Sequence, residues 1–412
     1  MTAPATGRRA EAGRPPRGLY VHVPFCEKIC HYCDFNKYLL RDGGVDEYLE
    51  ALEREVALYG AQLFPAAGGP SAPGPDRLGR SAAPEPAPFD TVYVGGGTPT
   101  SLSAAQLERL LSAVMGGFPV AAGAEVTVEA NPGTLSPRKL AALKRGGVNR
   151  ISLGVQSAND ELLRALGRIH TARQARESFE RAREWFDNVS VDLIYALPGQ
   201  DEDDWRRTLE EVVRWRPDHI SCYGLIIEDG TLFGELMRQG RLDLPGDERE
   251  LAMYRLAMDF LAGHGYEHYE IANWALPGRQ SRHNRIYWEN GEWLGLGPGA
   301  HSQWQGRRFA NVRLPADYAR LVAQGKPPVQ WSEAVSERTA MEDTVILGLR
   351  LREGVDAGEF ARRFGVGLAD VFGAEIRRVV ERGLVVWDGR RLRLTERGLY
   401  LSNQAFQEFI RL

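Results

Sequence analysis

Three cysteines, Cys26, Cys30 and Cys33, fall within eight residues of the run PFCEKICHYCDF. Three thiolates on a short loop are one fewer than a fully ligated iron–sulfur cluster takes, so a four-iron cluster held there keeps one iron open. An open position on a metal is where a substrate or cofactor coordinates. Zinc suits the spacing less well, because a structural zinc site fills four positions with a second Cys or His pair downstream. His31 lies between the second and third thiols, where it competes poorly for the same ion. A thioredoxin-like pair needs only Cys30 and Cys33 and leaves Cys26 without a role. Cys222 stands alone in HISCYGLII, so the four cysteines do not suggest a disulfide framework.

Short apolar runs alternate with helical patterns: LYVHV at 19–23, TVYVGG at 91–96, EVTVEA at 125–130, RISLGV at 150–155, VSVDLIYAL at 189–197 and HISCYGLI at 219–226. Between them, 101–115, 136–146, 158–185 and 202–214 carry helical spacing with Ser, Asp or Pro near their starts. A repeated strand–helix order predicts a parallel α/β sheet, curled as a partial or complete barrel, with its chemistry at the C-terminal ends of the strands. An open doubly wound sheet is the other arrangement that periodicity allows. Residues 1–18 read as a basic arm and 65–88 as a Pro/Gly/Ala-rich surface insertion, both expected to be disordered. From about 335 the order is three helices at 338–351, 356–364 and 367–382, a hairpin around the Asp-Gly turn of LVVWDGRRLRLT, and a helix at 396–410. That order is winged-helix-like. The predicted division is a barrel over 19–230, an extension over 231–334 and the C-terminal unit over 335–412.

The composition is that of a soluble globular chain: 412 residues, 43% hydrophobic and 26% charged, with no apolar run of membrane-spanning length and no secretory core. A cytoplasmic location is expected. The net charge of −4 gives no sign of a nucleic-acid partner, and scaffolding is the more common use of such a C-terminal unit.

Polar residues recur where the strands should end. GGGTPT supplies Gly96, Gly97 and Thr98, whose glycines let backbone N–H groups approach a ligand. Glu129 closes EVTVEANPGT, Gln156 closes ISLGVQS, Arg168 lies in RALGRIH and Asp192 in VDLIYALPGQ. Together with CxxxCxxC, these motifs resemble the radical S-adenosylmethionine superfamily, which implies an incomplete (β/α)6 barrel. The resemblance also implies a [4Fe-4S] cluster whose open iron takes the amine and carboxylate of S-adenosylmethionine. It assigns Tyr32 to the adenine, Tyr20 to a second contact, and Gly96, Gly97 and Thr98 to the amino group. The cofactor's carboxylate calls for a cation, here Arg168 acting bidentately. Its ribose diol calls for acceptors, Asp192 or Glu129, while Gln156 can donate and accept.

Within the superfamily, 20–200 and the C-terminal region resemble the oxygen-independent coproporphyrinogen III oxidases. Those carry a further cysteine in CxxxCxxCxC, where this chain has Phe35, which puts porphyrinogen decarboxylation in doubt. DFN instead resembles the HemW-type haem chaperones. So does SRHNRIYWENGEWLGLGPGAHS at 281–302, which holds the HNxxYW signature as His283, Asn284, Tyr287 and Trp288. A neutral imidazole is a good axial ligand for haem iron and aromatic neighbours can cover the macrocycle. His283 is the expected haem contact and His301 a secondary one. His22 and His170 read as structural or cavity-lining groups. The resemblance implies a haem chaperone serving acceptor haemoproteins of the respiratory chain, with homodimerisation and contact with a membrane surface. A radical oxidase acting on a porphyrinogen is the rival reading, and a DNA-binding regulator a weaker one.

Overall fold

The computed structural model describes residues 14–40, 44–64 and 87–410. Of the expected arm, residues 1–13 lie outside the described residues, as does 65–86 of the expected insertion. The arm's end is ordered: Arg14 pairs with Asp90 at 2.9 Å, and Arg17 and Gly18 open the first strand.

β1 (Arg17–Val23) reads RGLYVHV, with Leu19, Val21 and Val23 fully buried. Strands rich in Val, Ile and Leu suit a parallel sheet covered by helices. Two short strands, β2 (Phe25–Cys26) and β3 (Tyr38–Leu39), then pair in parallel across the cysteine loop and close its ends together. β4 (Phe89–Gly96), β5 (Val120–Ala130), β6 (Arg150–Gln156), β7 (Val189–Tyr195) and β8 (His219–Gly224) follow. β4 pairs in parallel with β1 and each later strand with the one before it. The spatial order β1-β4-β5-β6-β7-β8 runs with the chain and never reverses. A doubly wound sheet requires a reversal, so the barrel-like arrangement is the one adopted.

Helices α1 (Gly44–Leu63), α2 (Ala104–Gly117) and α3 (Pro137–Arg145) connect the first strands. A capping box, Ser103 with Gln106, starts α2, and Ser136 with Pro137 starts α3. The helix expected over 158–185 is two helices, α4 (Asp160–Ala165) and α5 (Ala172–Arg183). Gly167, at φ 77°, ends the first, and a second capping box, Thr171 with Gln174, begins the other. The break matters because it places Arg168 in a loop against the cysteines, where His31 N–H donates to Leu166 O at 3.0 Å. α6 (Glu202–Trp215) covers the next crossover.

The segment read as an extension is part of the same sheet. It holds α7 (Leu232–Arg238), α8 (Asp247–Gly263), β9 (Glu267–Glu270), β10 (Asn273–Ala275), α9 (Arg282–Trp288), β11 (Glu292–Leu296), β12 (His301–Trp304), β13 (Arg307–Asn311), α10 (Pro315–Ala323) and β14 (Val329–Ala334). β11 pairs in parallel with the free side of β1, and β12, β13 and β14 continue antiparallel from it. β10 and β9 extend the other side from β8. The result is a sheet of 12 strands whose outermost members, β14 and β9, are not paired with each other: an open barrel.

The C-terminal unit comprises α11 (Glu337–Gly348), β15 (Val355–Asp356), α12 (Ala357–Phe364), α13 (Leu368–Glu381) and the hairpin β16 (Val385–Trp387) with β17 (Arg391–Leu394). β15 adds a third strand that the sequence reading did not anticipate. The expected last helix is broken at Leu401 into α14 (Glu396–Tyr400) and α15 (Ser402–Gln407).

Candidate functional site

The three thiols line one wall of a cavity of about 560 Å³ at the C-terminal mouth of the parallel strands. All four cysteines are free thiols. The loop is held from two sides. Gly97 N–H donates to Val23 O and Thr98 N–H to Phe25 O, both at 2.8 Å. A Cβ on Gly97 would come within 2.7 Å of Phe25 O and 2.8 Å of Val23 O, so glycine is required for this close approach. These N–H groups are spent on the backbone, and Gly96 N–H donates to Glu129 Oε2 at 3.1 Å. The stretch therefore does not present the free donors that its glycines suggested. Thr98 Oγ1 lies 3.8 Å from Cys26 Sγ and Arg168 Nη1 3.5 Å from Cys30 Sγ. Lys37 Nζ donates to Cys33 O.

Gly96, Gly97, Thr98, Glu129, Gln156, Arg168, Asp192 and Tyr32 all line this cavity. Glu129 accepts from Tyr93 OH at 2.7 Å, and burial, aided by the nearby Asp192 charge, raises its pKa to about 7. Asp192 accepts from Ser152 Oγ at 2.9 Å and Ser221 Oγ at 2.7 Å, and burial raises its pKa as well. Each carboxylate oxygen keeps a lone pair beyond these bonds. Gln156 ends β6 at φ 69°, turned out of the strand path. Arg168 is less free than a bidentate carboxylate clamp: Nη2 donates to Asn131 Oδ1 and Gly154 O, both at 2.6 Å. Asn131 also donates to Thr98 Oγ1 at 2.7 Å, tying the glycine loop to the arginine loop. Sequence reasoning missed Asn131, though its place directly after a strand in EANPGT was the available signal. It also missed Arg150, 2% exposed in the same lining, whose Nε has no hydrogen-bond partner among the described residues.

A second cavity, about 740 Å³, lies beside the first. Asp34 and Phe35 line both. Tyr20, expected at the first cavity, lines this one, its hydroxyl 2.9 Å from His22 Nδ1. Tyr287, Trp288 and His301 line it too, whereas Asn284 lines the first. His283 lines neither. It is 1% exposed, with Nδ1 2.7 Å from Thr91 Oγ1 and Nε2 2.7 Å from Tyr287 OH. Burial, with the Arg150 charge second, lowers its pKa to about 3, so the ring is neutral. His22 and His170 are buried, with ring nitrogens on Asn36 O and Val155 O, and His22 also lines the second cavity.

Residues 20–212 match the radical SAM superfamily and residues 335–401 the HemN C-terminal domain. The chain is 38% identical to heme chaperone HemW of Bacillus subtilis, over 96% of this chain and 99% of that one. The chain belongs to the HemW family. It is also 36% identical to the mitochondrial radical S-adenosyl methionine domain-containing protein 1 of Bos taurus, over 96% of this chain and 86% of that one. Among solved structures it resembles coproporphyrinogen III oxidase HemN of Escherichia coli, described as a radical SAM enzyme. The TM-score is 0.79 at 25% identity, covering 96% of this chain and 90% of that one.

A radical SAM member of the HemW family takes a [4Fe-4S] cluster and S-adenosylmethionine, and the residues present fit both. Three unpaired thiols share one wall, two with hydrogen-bond donors against their sulfurs, as ligand thiolates have. Burial raises the Cys26 pKa and takes Cys33 to about 11, so metal must displace protons on binding. Beyond the thiols the cavity presents acceptors and a guanidinium, the complements of a diol and an α-amino acid. At the position of the oxidases' further cysteine, this HemW-family chain exposes Phe35, 63% accessible, between the two cavities.

Proposed function

We propose that this chain is a haem chaperone that binds haem and S-adenosylmethionine and passes haem to acceptor haemoproteins. The supporting observation is its near-full-length likeness to heme chaperone HemW. A cluster on Cys26, Cys30 and Cys33 would supply an open iron and an electron to the bound sulfonium. Around it, Asn131 and Gly154 hold Arg168 against Cys30, toward the cofactor's carboxylate. Ser152 and Ser221 aim Asp192, and Tyr93 aims Glu129, at the ribose. Tyr32, packed beside Leu166, Ile194 and Phe233, offers its ring to the adenine. Haem sits in the region of the HNxxYW helix.

Three further assignments come from the resemblance: acceptors in the respiratory chain, homodimerisation, and a cytoplasmic location with membrane-surface contact. Among the described residues no helix is long and apolar enough to cross a membrane. The division into a barrel over 19–230, an extension over 231–334 and a winged-helix-like unit over 335–412 stands as a proposal, although the first two share one sheet.

The test is anaerobic reconstitution of the full chain followed by haem titration and incubation with an apo-haemoprotein. A Soret band and transfer of haem are expected. A chain that neither binds nor transfers haem overturns the proposal. The likeness to HemN across 96% of the chain favours an oxidase as the second reading. Decarboxylation of coproporphyrinogen in the presence of reductant and S-adenosylmethionine would establish it.

A further inference from the structure

The eight histidines divide sharply by what their rings already hold. His22, His219 and His283 have both nitrogens hydrogen-bonded, and His31, His170, His264 and His268 at least one. His301 is the exception: among the described residues neither of its ring nitrogens has a hydrogen-bond partner. It opens β12 and lines the second cavity, exposed to it. Its neighbours are large rings. Trp331 lies edge-on to the imidazole at 6.1 Å between centroids and is 43% exposed. The pairings of His301 with Ala310 and of Ala310 with Trp331 put both side chains on one face of the sheet. Trp293, whose Nε1 donates to His301 O at 3.0 Å, packs against Tyr287 at 4.7 Å and continues the wall. Arg313, also lining the cavity and exposed, makes no ion pair among the described residues.

This set has a specific complement. A flat apolar macrocycle suits tryptophan and tyrosine faces, a metal at its centre suits an imidazole with a free lone pair, and peripheral carboxylates suit an unpaired guanidinium. The cavity volume lies within the 300–1,000 Å³ expected of a cofactor site. His283 meets none of these needs without giving up two buried hydrogen bonds, each worth roughly 1 kcal/mol.

We infer that haem is seated in the cavity lined by Trp293, Trp331 and Tyr287, with His301 as its axial ligand and Arg313 on a propionate, while His283 braces Tyr287 from behind. The inference rests on the haem-chaperone reading and goes further by naming the seat. A dative bond forms from an imidazole nitrogen lone pair to iron, with no proton lost and no change in oxidation state. The His283–Tyr287 hydrogen bond stays intact and fixes the cavity wall.

The test is haem titration of the full chain, followed by the Soret band, for the parent and for H301A, R313Q and H283A, with far-UV circular dichroism on each. H301A is expected to bind roughly tenfold more weakly, with a shifted band whose position added imidazole restores. R313Q is expected to bind more weakly with the band unmoved. Parent-like affinity and band in H301A, with loss of the band in a natively folded H283A, would overturn the seat while leaving the chaperone reading standing. A parent chain without a Soret band would overturn both.

Discussion

Asp192 and Glu129 reach the first cavity from β7 and β5, each with both oxygens already held by donors. Removing charge while keeping shape should isolate their contribution to binding. D192N is expected to weaken S-adenosylmethionine binding about tenfold, as is R168A, measured by anaerobic calorimetry on the cluster-loaded chain. Unchanged affinity in both would undo these assignments. Glu55 tests pH dependence. It is fully buried on α1, accepts from Gly297 N–H, Asn311 and Tyr318, and has its pKa raised by burial to about 7. A carboxyl that holds its proton more tightly when folded stabilises fully below its unfolded pKa, and that contribution is lost as pH rises through the folded value. E55Q should therefore remove a loss on the order of 3 kcal/mol between about pH 4.5 and 7, visible as a flatter dependence of Tm on pH than in the parent. The cysteines and these two site carboxylates were legible because their types and strand-end positions announce them. Asn131 could have been found from its place directly after a strand, whereas Arg150 and the serines that brace Asp192 could not, since their part in the cavity shows only once the strands lie side by side. His283 looked like a ligand by motif, but only three-dimensional contacts reveal that both its nitrogens are occupied.

At the scale of elements, the glycine stretch after β4 and the cysteine loop after β1 behave as one unit joined by two backbone hydrogen bonds. G97A pushes a methyl into two carbonyl oxygens that cannot yield without moving the loop. The expected result is an iron content per chain well below that of the parent, with a cost of about 1–3 kcal/mol in stability. Retained iron would mean that the loop tolerates the shift. T171A removes the cap of α5 and should cost about 1 kcal/mol in denaturant unfolding. Strand order was legible because the repeated alternation of apolar runs and helices admits few parallel arrangements. The break within 158–185 was legible in principle from Gly167 and the Thr171–Gln174 box, but the apolar period of the flanking helices continues through it. β11 escaped notice because its sequence, EWLGL, is too short to stand out, and only its pairing with β1 makes it a strand.

For the whole molecule, α9 is the joint. It lies between the barrel and the C-terminal unit, with Arg285 paired to Glu353 at 2.5 Å and Arg350 stacked 4.2 Å over Trp288. Just beyond it, Arg363 on α12 donates to Asn290 O at 2.8 Å and Glu289 O at 3.3 Å. R363A should cost about 1–2 kcal/mol and hasten proteolytic cleavage between the two units, read by timed digestion. The winged-helix-like order was legible from its helices and hairpin, but its docking was not, because the Arg285–Glu353 pair, the Arg350–Trp288 stack and the Arg363 bonds to backbone carbonyls each join residues far apart along the chain.

Asp34 and Phe35 belong to the walls of both cavities. Two guests that share a partition are tied by linkage: whatever factor one occupant imposes on the other's dissociation constant must be returned in equal measure. If an occupant of the aromatic chamber shifts Asp34 or Phe35, it would change the hold on a sulfonium next door, and a carrier built this way would tie release of its cargo to the state of its neighbour without any moving domain.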